Sequence, residues 1–186
     1  MSRFSVLVAM LFLAGAAPLG AQGSDTVQST ASAQIISGFL EISSTTDIVF
    51  GAIGSDGSGL GTVTLSTFGG REATGGARLL GGGGEEPSTF VVTGAPGTNY
   101  LIILPDPAGI TIFHDPPTAT SLILSVLTSR SASTIPPANG NSGVLGPPGS
   151  PTEGTDTVFI GGTISVPVGT VTGRYFGEIL VTFGAQ

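Results

Sequence analysis

Along most of this chain apolar residues alternate with small polar ones or gather in short runs, and each stretch ends in Gly, Pro, Asn or Asp. In GTVTLS, Val63 and Leu65 alternate with Thr62 and Thr64. Successive strand residues point to opposite faces, so a period of two sets one face on a core and the other in water. No segment of the mature chain shows convincing helical spacing. The pattern predicts strands at Ala31–Ile36, Phe39–Ile42, Asp47–Ile53, Gly61–Ser66, Ala77–Leu80, Ser88–Thr93 and Tyr100–Leu104. It predicts further strands at Gly109–Phe113, Ser121–Leu127, Thr157–Ile160, Thr163–Val166 and Arg174–Phe183.

The breaks carry turn chemistry. GSDGSGLG (Gly54–Gly61) supplies positions that accept positive φ, as tight hairpins require. GAPG (Gly94–Gly97) sets Pro96 before a glycine. Short strands, tight turns and no intervening helices predict an all-β fold, a β-sandwich. No repeat of fixed period appears, which argues against a solenoid or propeller. Residues 129–156, dense in Pro, Gly and small polar side chains, read as a flexible surface loop inside one domain spanning residues 22–186.

The first residues have a different pattern. Arg3 precedes FSVLVAMLFLAGAAPL, an apolar stretch short of the roughly 20 residues that span a bilayer. With Gly20-Ala21 following, residues 1–21 read as a signal peptide cleaved before Gln22. The expected location is periplasm, cell surface or medium, with no membrane span in the mature protein.

Composition narrows the picture. The 186 residues hold 31 glycines and 13 prolines, yet 40% are hydrophobic and only 9% charged, unlike a disordered chain. The net charge is −7, and every basic residue is Arg, so no basic stripe exists for nucleic acid or anionic lipid. There is no Cys, so an exported domain must rely on its core and backbone ladders.

Candidate chemistry is sparse. The single histidine, His114, adjoins Asp115, but neighbours on a strand face opposite ways, and no nucleophile elbow is present. One His and no Cys argue against zinc. Ser55, Asp56, Ser58 and Glu85-Glu86 offer oxygens for calcium, but without EF-hand or repeat spacing they read as turns and solvated loops. The Gly81–Gly84 run lacks the Lys of a phosphate loop. Phe50, Phe90, Phe159 and Phe183 sit in strand patterns and read as core. No catalytic residue, cofactor site or metal site is expected, and the chain is not expected to be an enzyme.

The ordered segments Thr30–Ile53, GTVTLSTFGGREATGGARLLGGG, STFVVTGAPGTNYLIILP and VFIGGTISVPVGTVTGRYFGEILVTFGAQ resemble a family of small exported bacterial domains of unknown function. That family is similar to the fimbrial-subunit and spore-coat-protein-U type of immunoglobulin-like sandwich. The resemblance implies an immunoglobulin-like, fimbrial-type antiparallel β-sandwich, export and surface assembly, and supplies no catalytic residues. Fimbrial subunits end in an alternating strand after a glycine; here Tyr175, Ile179, Val181 and Phe183 alternate around Gly177, though Ala185 stands where an aromatic is usual. Such subunits accept a neighbour's amino-terminal strand by β-augmentation. An ordinary last strand of a self-contained sandwich reads equally from these residues.

The functional expectation is therefore a non-enzymatic structural or adhesive protein of the bacterial surface. Its expected partners are itself or other surface subunits through edge strands, and an export chaperone. The alternative is a monomeric secreted or periplasmic module that recognises a glycan or peptide through its loops.

Overall fold

Every regular element among the described residues is a β-strand. The computed structural model describes residues 40–106, 109–117, 120–146 and 154–186. The expected signal peptide and the expected strand Ala31–Ile36 lie outside them. The strands are β1 (Leu40–Thr46), β2 (Ile53–Ser55), β3 (Gly61–Leu65), β4 (Arg71–Gly75), β5 (Ala77–Leu79), β6 (Ser88–Gly94) and β7 (Asn99–Ile103). After them come β8 (Ile110–Asp115), β9 (Ser121–Ser131), β10 (Ser142–Val144), β11 (Thr155–Val166), β12 (Arg174–Phe176) and β13 (Thr182–Ala185). No helix among the described residues is long and apolar enough to cross a membrane.

The ladders are antiparallel throughout. The largest sheet runs β1-β6-β11-β9-β8-β12, with β3 joined to β11 and β4 joined to β3. Its axis is β11, whose first half pairs β6 (Val158 opposite Phe90) and whose second half pairs β3 (Ile164 opposite Val63). Along its other side β11 pairs β9, with a register shift between Gly161 and Thr163. A three-stranded sheet runs β10-β7-β13, and β2 pairs β5.

Period-two patterning builds the core. The second half of β11 buries Ile164 and Val166 with Val63 of β3, Ala77 of β5 and Leu122 and Leu124 of β9. Its first half buries Val158 and Ile160 with Val92 of β6, Tyr100 and Ile102 of β7, and Leu145. Through this second cluster the three-stranded sheet covers the inner face of β6 and β11. The opposite face of the large sheet carries hydroxyls, and Thr62 bonds Thr74 while Thr64 bonds Thr163 across the ladders, at 2.7 and 2.9 Å.

Several expected strands take a different form. Asp47–Ile53 is not one strand: Val49 bridges Glu86, and β2 begins only at Ile53. Across this break Arg71 Nη1 donates to Phe50 O and Ala52 O at 2.8 and 3.3 Å, and Ala52 O also accepts from Leu80 N. Thr157–Ile160 and Thr163–Val166 are one strand, because Gly161-Gly162 does not break it. A Cβ at Gly161 would collide with Leu65 O, and one at Gly162 would press on Leu127, so glycine lets strands pack closely on both sides. Arg174–Phe183 is two strands in two sheets: β12 pairs β8, and β13 pairs β7. The stretch expected as a loop contains β10, and within it Leu145 is 1% exposed.

Candidate functional site

The histidine is held as a structural group. His114 lies on β8, buried at 6% exposure, with Nδ1 2.6 Å from Pro116 O and Nε2 3.2 Å from Thr172 O. Its ring meets that of Tyr175 edge-on at 5.0 Å. A carbonyl oxygen can only accept, so each ring nitrogen must carry a proton to bond the one it faces, and this setting favours the imidazolium. The Pro116 carbonyl, then that of Thr172, raises the pKa, and the Asp115 charge adds to this. Both ring nitrogens face carbonyl oxygens, so no nitrogen is left to act as a base toward a nucleophile.

The acidic loops are engaged as well. Asp56 accepts from the Ser58 hydroxyl at 2.6 Å and from its amide at 2.9 Å, and pairs with Arg78. The Ser58 hydrogen bonds hold its pKa below the ordinary carboxylate value. Glu85 pairs with Arg71 at 2.9 Å, while Glu86 exchanges backbone bonds with Val49. Among the described residues no three His, Asp or Glu side chains gather as metal ligands. Gly81–Gly84 connects β5 to β6 as a loop.

A buried polar network lies beside the second core cluster. The Asp156 carboxylate accepts from Tyr100 Oη at 2.7 Å, Ser131 Oγ at 2.5 Å and Ser133 Oγ at 2.7 Å. It also accepts from the amides of Ser133 at 3.1 Å and Thr157 at 2.7 Å. The network joins β7 of the small sheet to β9 and β11 of the large one. Burial, then the bond to Asp156, raises the Tyr100 pKa. With no base beside Ser131 or Ser133 other than this saturated carboxylate, the cluster works as an inter-sheet bolt.

The first and last strands, β1 and β13, form an open side among the described residues. β1 and β13 are terminal strands of their sheets and approach each other, and neither outer edge has a ladder partner among the described residues. Leu40, Phe90, Val181 and Phe183 pack on the second core cluster but are only partly buried. The Phe90 and Phe183 rings stand 5.7 Å apart there. Tyr175 and Ile179 pack on the first cluster, so the C-terminal segment touches both halves of the core.

Phe159, expected in the core, stands on the outer face. It is opposite Arg130 in the ladder, and the Arg130 guanidinium lies 4.1 Å from its ring centroid and 4.5 Å from that of Phe68. An Arg supplies one strand with an inward–outward alternation like any polar residue, so the pattern gave no sign of this clamp. Phe68, Phe113 and Phe176 are more than half exposed, and the last two are ladder partners.

Comparison with curated proteins and with solved structures finds no match. A family model does match, the Domain of unknown function (DUF4402), over residues 40–184, a span that opens at β1 and closes within β13. The matched span thus holds strands of all three sheets, both core clusters, the Asp156 bolt and the open side between β1 and β13, and this chain belongs to that DUF4402 family.

Proposed function

We propose that this chain is an exported, non-enzymatic structural or adhesive subunit of the bacterial surface, an immunoglobulin-like sandwich of fimbrial type that assembles by strand addition. The observation that carries this reading is the open side. An unpaired strand edge presents a row of backbone N–H and C=O groups and serves as a template for another strand. Among the described residues two such edges, β1 and β13, flank a strip of core in which Leu40, Phe90, Val181 and Phe183 are partly exposed. An added strand would satisfy the β13 edge and complete the burial of these side chains. The donor in this reading is the segment that precedes β1, residues 22–36, taken from a neighbouring copy. The engaged state of His114, Asp56, Glu85 and Asp156 supports a role through contacts and not chemistry.

The test is assembly of the purified exported chain. Strand addition predicts SDS-resistant ladders that vanish when residues 22–36 are deleted. A chain that stays monomeric at high concentration, and whose unfolding does not respond to an added peptide of residues 22–36, would overturn the proposal.

A further inference from the structure

A charged group taken out of water is normally paired, because desolvation costs more than packing returns. Arg71 follows this rule. Its side chain is 6% exposed, it pairs with Glu85 at 2.9 Å, and it donates to three carbonyls. Arg78 pairs with Asp56, and Arg174 stands opposite Asp115 in the ladder. Arg130 is different.

The Arg130 guanidinium is partly buried between the Phe68 and Phe159 rings, at 4.5 and 4.1 Å. Among the described residues no carboxylate lies within ion-pair distance of it. Among the described residues its hydrogen-bond partner is Thr67 O, 3.2 Å from Nη2; its Nε, like that of Arg71, is buried with no acceptor, so what sets Arg130 apart is the missing carboxylate. Burial lowers its pKa, which marks a cation short of compensating negative charge. Two π faces attract a cation and fix its plane, but they leave the in-plane donors of Nη1 unused.

The surroundings are built for recognition. Thr67, 1% exposed, donates from Oγ1 to Asn139 Oδ1 at 2.7 Å, which leaves the Asn139 Nδ2 donors unspent. Asn139 is in turn fixed beside β9, since Gly140 N donates to Ser129 O and Ser129 Oγ to Gly140 O. The Phe68 ring, 59% exposed, stands above this face on the β3–β4 turn. On the same face Thr128 precedes Arg130 by two residues on β9, and Thr64 and Thr163 bond each other. Of the acidic residues of the face, Glu41 and Asp115 sit on β1 and β8, while Glu72 of β4 stands opposite Thr64, at the other end of the hydroxyl row from the Arg130–Phe159 pair.

We infer that Arg130, Phe68 and Asn139 form a binding site for a carboxylate-bearing sugar, with the guanidinium taking the carboxylate and the Phe68 ring and threonine hydroxyls taking the sugar. A planar, aromatic-clamped guanidinium suits a carboxylate, and an open floor of hydroxyls with an exposed ring suits a pyranose better than a peptide side chain. The site lies on the outer face of the large sheet and does not depend on strand addition. In a surface subunit it would supply the adhesive contact.

The experiment is an NMR titration of the exported chain with trigalacturonate, reading the Arg130 Nε–H and Asn139 Nδ2–H2 signals, at low and high salt. Saturable shifts at both groups are expected, weakened by salt, with affinity lost about tenfold or more in Arg130→Gln and less in Arg130→Lys. The reduced, neutral trisaccharide should bind about tenfold more weakly. Because Arg130→Gln removes a packed group, Phe68→Ala is the second variant; its exposed ring contributes little to folding, and it should also weaken binding. The inference is overturned by equal binding of the neutral sugar, by unchanged binding in folded Arg130→Gln or Phe68→Ala, or by no saturable shift up to about 10 mM ligand. Tighter binding of poly-glutamate than of trigalacturonate would overturn it in favour of a protein partner.

Discussion

Removing the Asp156 carboxylate should destabilise the chain more than any other single polar truncation. Five donors converge on it: Tyr100 Oη, Ser131 Oγ, Ser133 Oγ and the amides of Ser133 and Thr157. Tyr100 and Ser131 are both 0% exposed, so water cannot replace the acceptor without opening the sheets. In Asp156→Ala the two serine hydroxyls can still bond each other across 2.5 Å, but Tyr100 Oη loses its carboxylate acceptor and must compete for Ser131. A buried donor left without its acceptor costs about 1–3 kcal/mol, and hydrogen bonds to a charged group lie in the upper part of that range, so several lost together exceed one such donor. The expected loss is about 3–5 kcal/mol, which for a domain of this size lowers Tm by on the order of 10 °C. Tyr100→Phe removes one donor and leaves the carboxylate four, so about 1–1.5 kcal/mol is expected. Urea unfolding at neutral pH, followed by far-UV circular dichroism, measures both. A loss below about 1 kcal/mol in Asp156→Ala, or a larger loss in Tyr100→Phe than in Asp156→Ala, would refute the bolt.

Two further outcomes follow from local geometry. The His114 pKa is raised in the fold because the carbonyls of Pro116 and Thr172 take both ring N–H groups, so its contribution to stability is full below the unfolded value of about 6.5. That contribution is lost as pH climbs through the raised folded value; Tm should fall over this window in the native chain and stay flatter in His114→Gln, and equal slopes would contradict the assignment. Val126 sits at φ 49° in the β9 bulge with its side chain 61% exposed, a backbone that β-branched residues avoid. Val126→Asn should therefore stabilise by about 0.5–1 kcal/mol in the same urea assay, and a destabilisation would show that the side chain, not the backbone, decides this position.

The legible part of the molecule was its alternation. GTVTLS became β3 with Val63 and Leu65 buried, and Tyr175, Ile179, Val181 and Phe183 all turned toward the core. What alternation cannot carry is partner choice. The same C-terminal pattern serves one long strand or two strands in different sheets, and only the register with β8 and β7 decides. β4 (Arg71–Gly75) left no signal, because an edge strand held by pairing to β3 needs no apolar face. Gly161-Gly162 read as a break because glycine marks both turns and tight strand packing, and the difference lies in neighbours remote in sequence. The Arg130 clamp joins residues of two strands, β9 and β11, and the β3–β4 turn, and Asp156 draws donors from β7 and the end of β9. Neither constellation has a local spacing to detect.

In the proposed assembly the open side between β1 and β13 receives a strand. Hydrogen exchange of the Thr182–Ala185 amides, measured on residues 37–186 with and without a peptide of residues 22–36, tests this most directly. Strand addition predicts marked slowing at β13 on peptide addition, with little change at β12, which belongs to the other sheet. Unchanged exchange at β13 in a chain that remains monomeric would contradict the account.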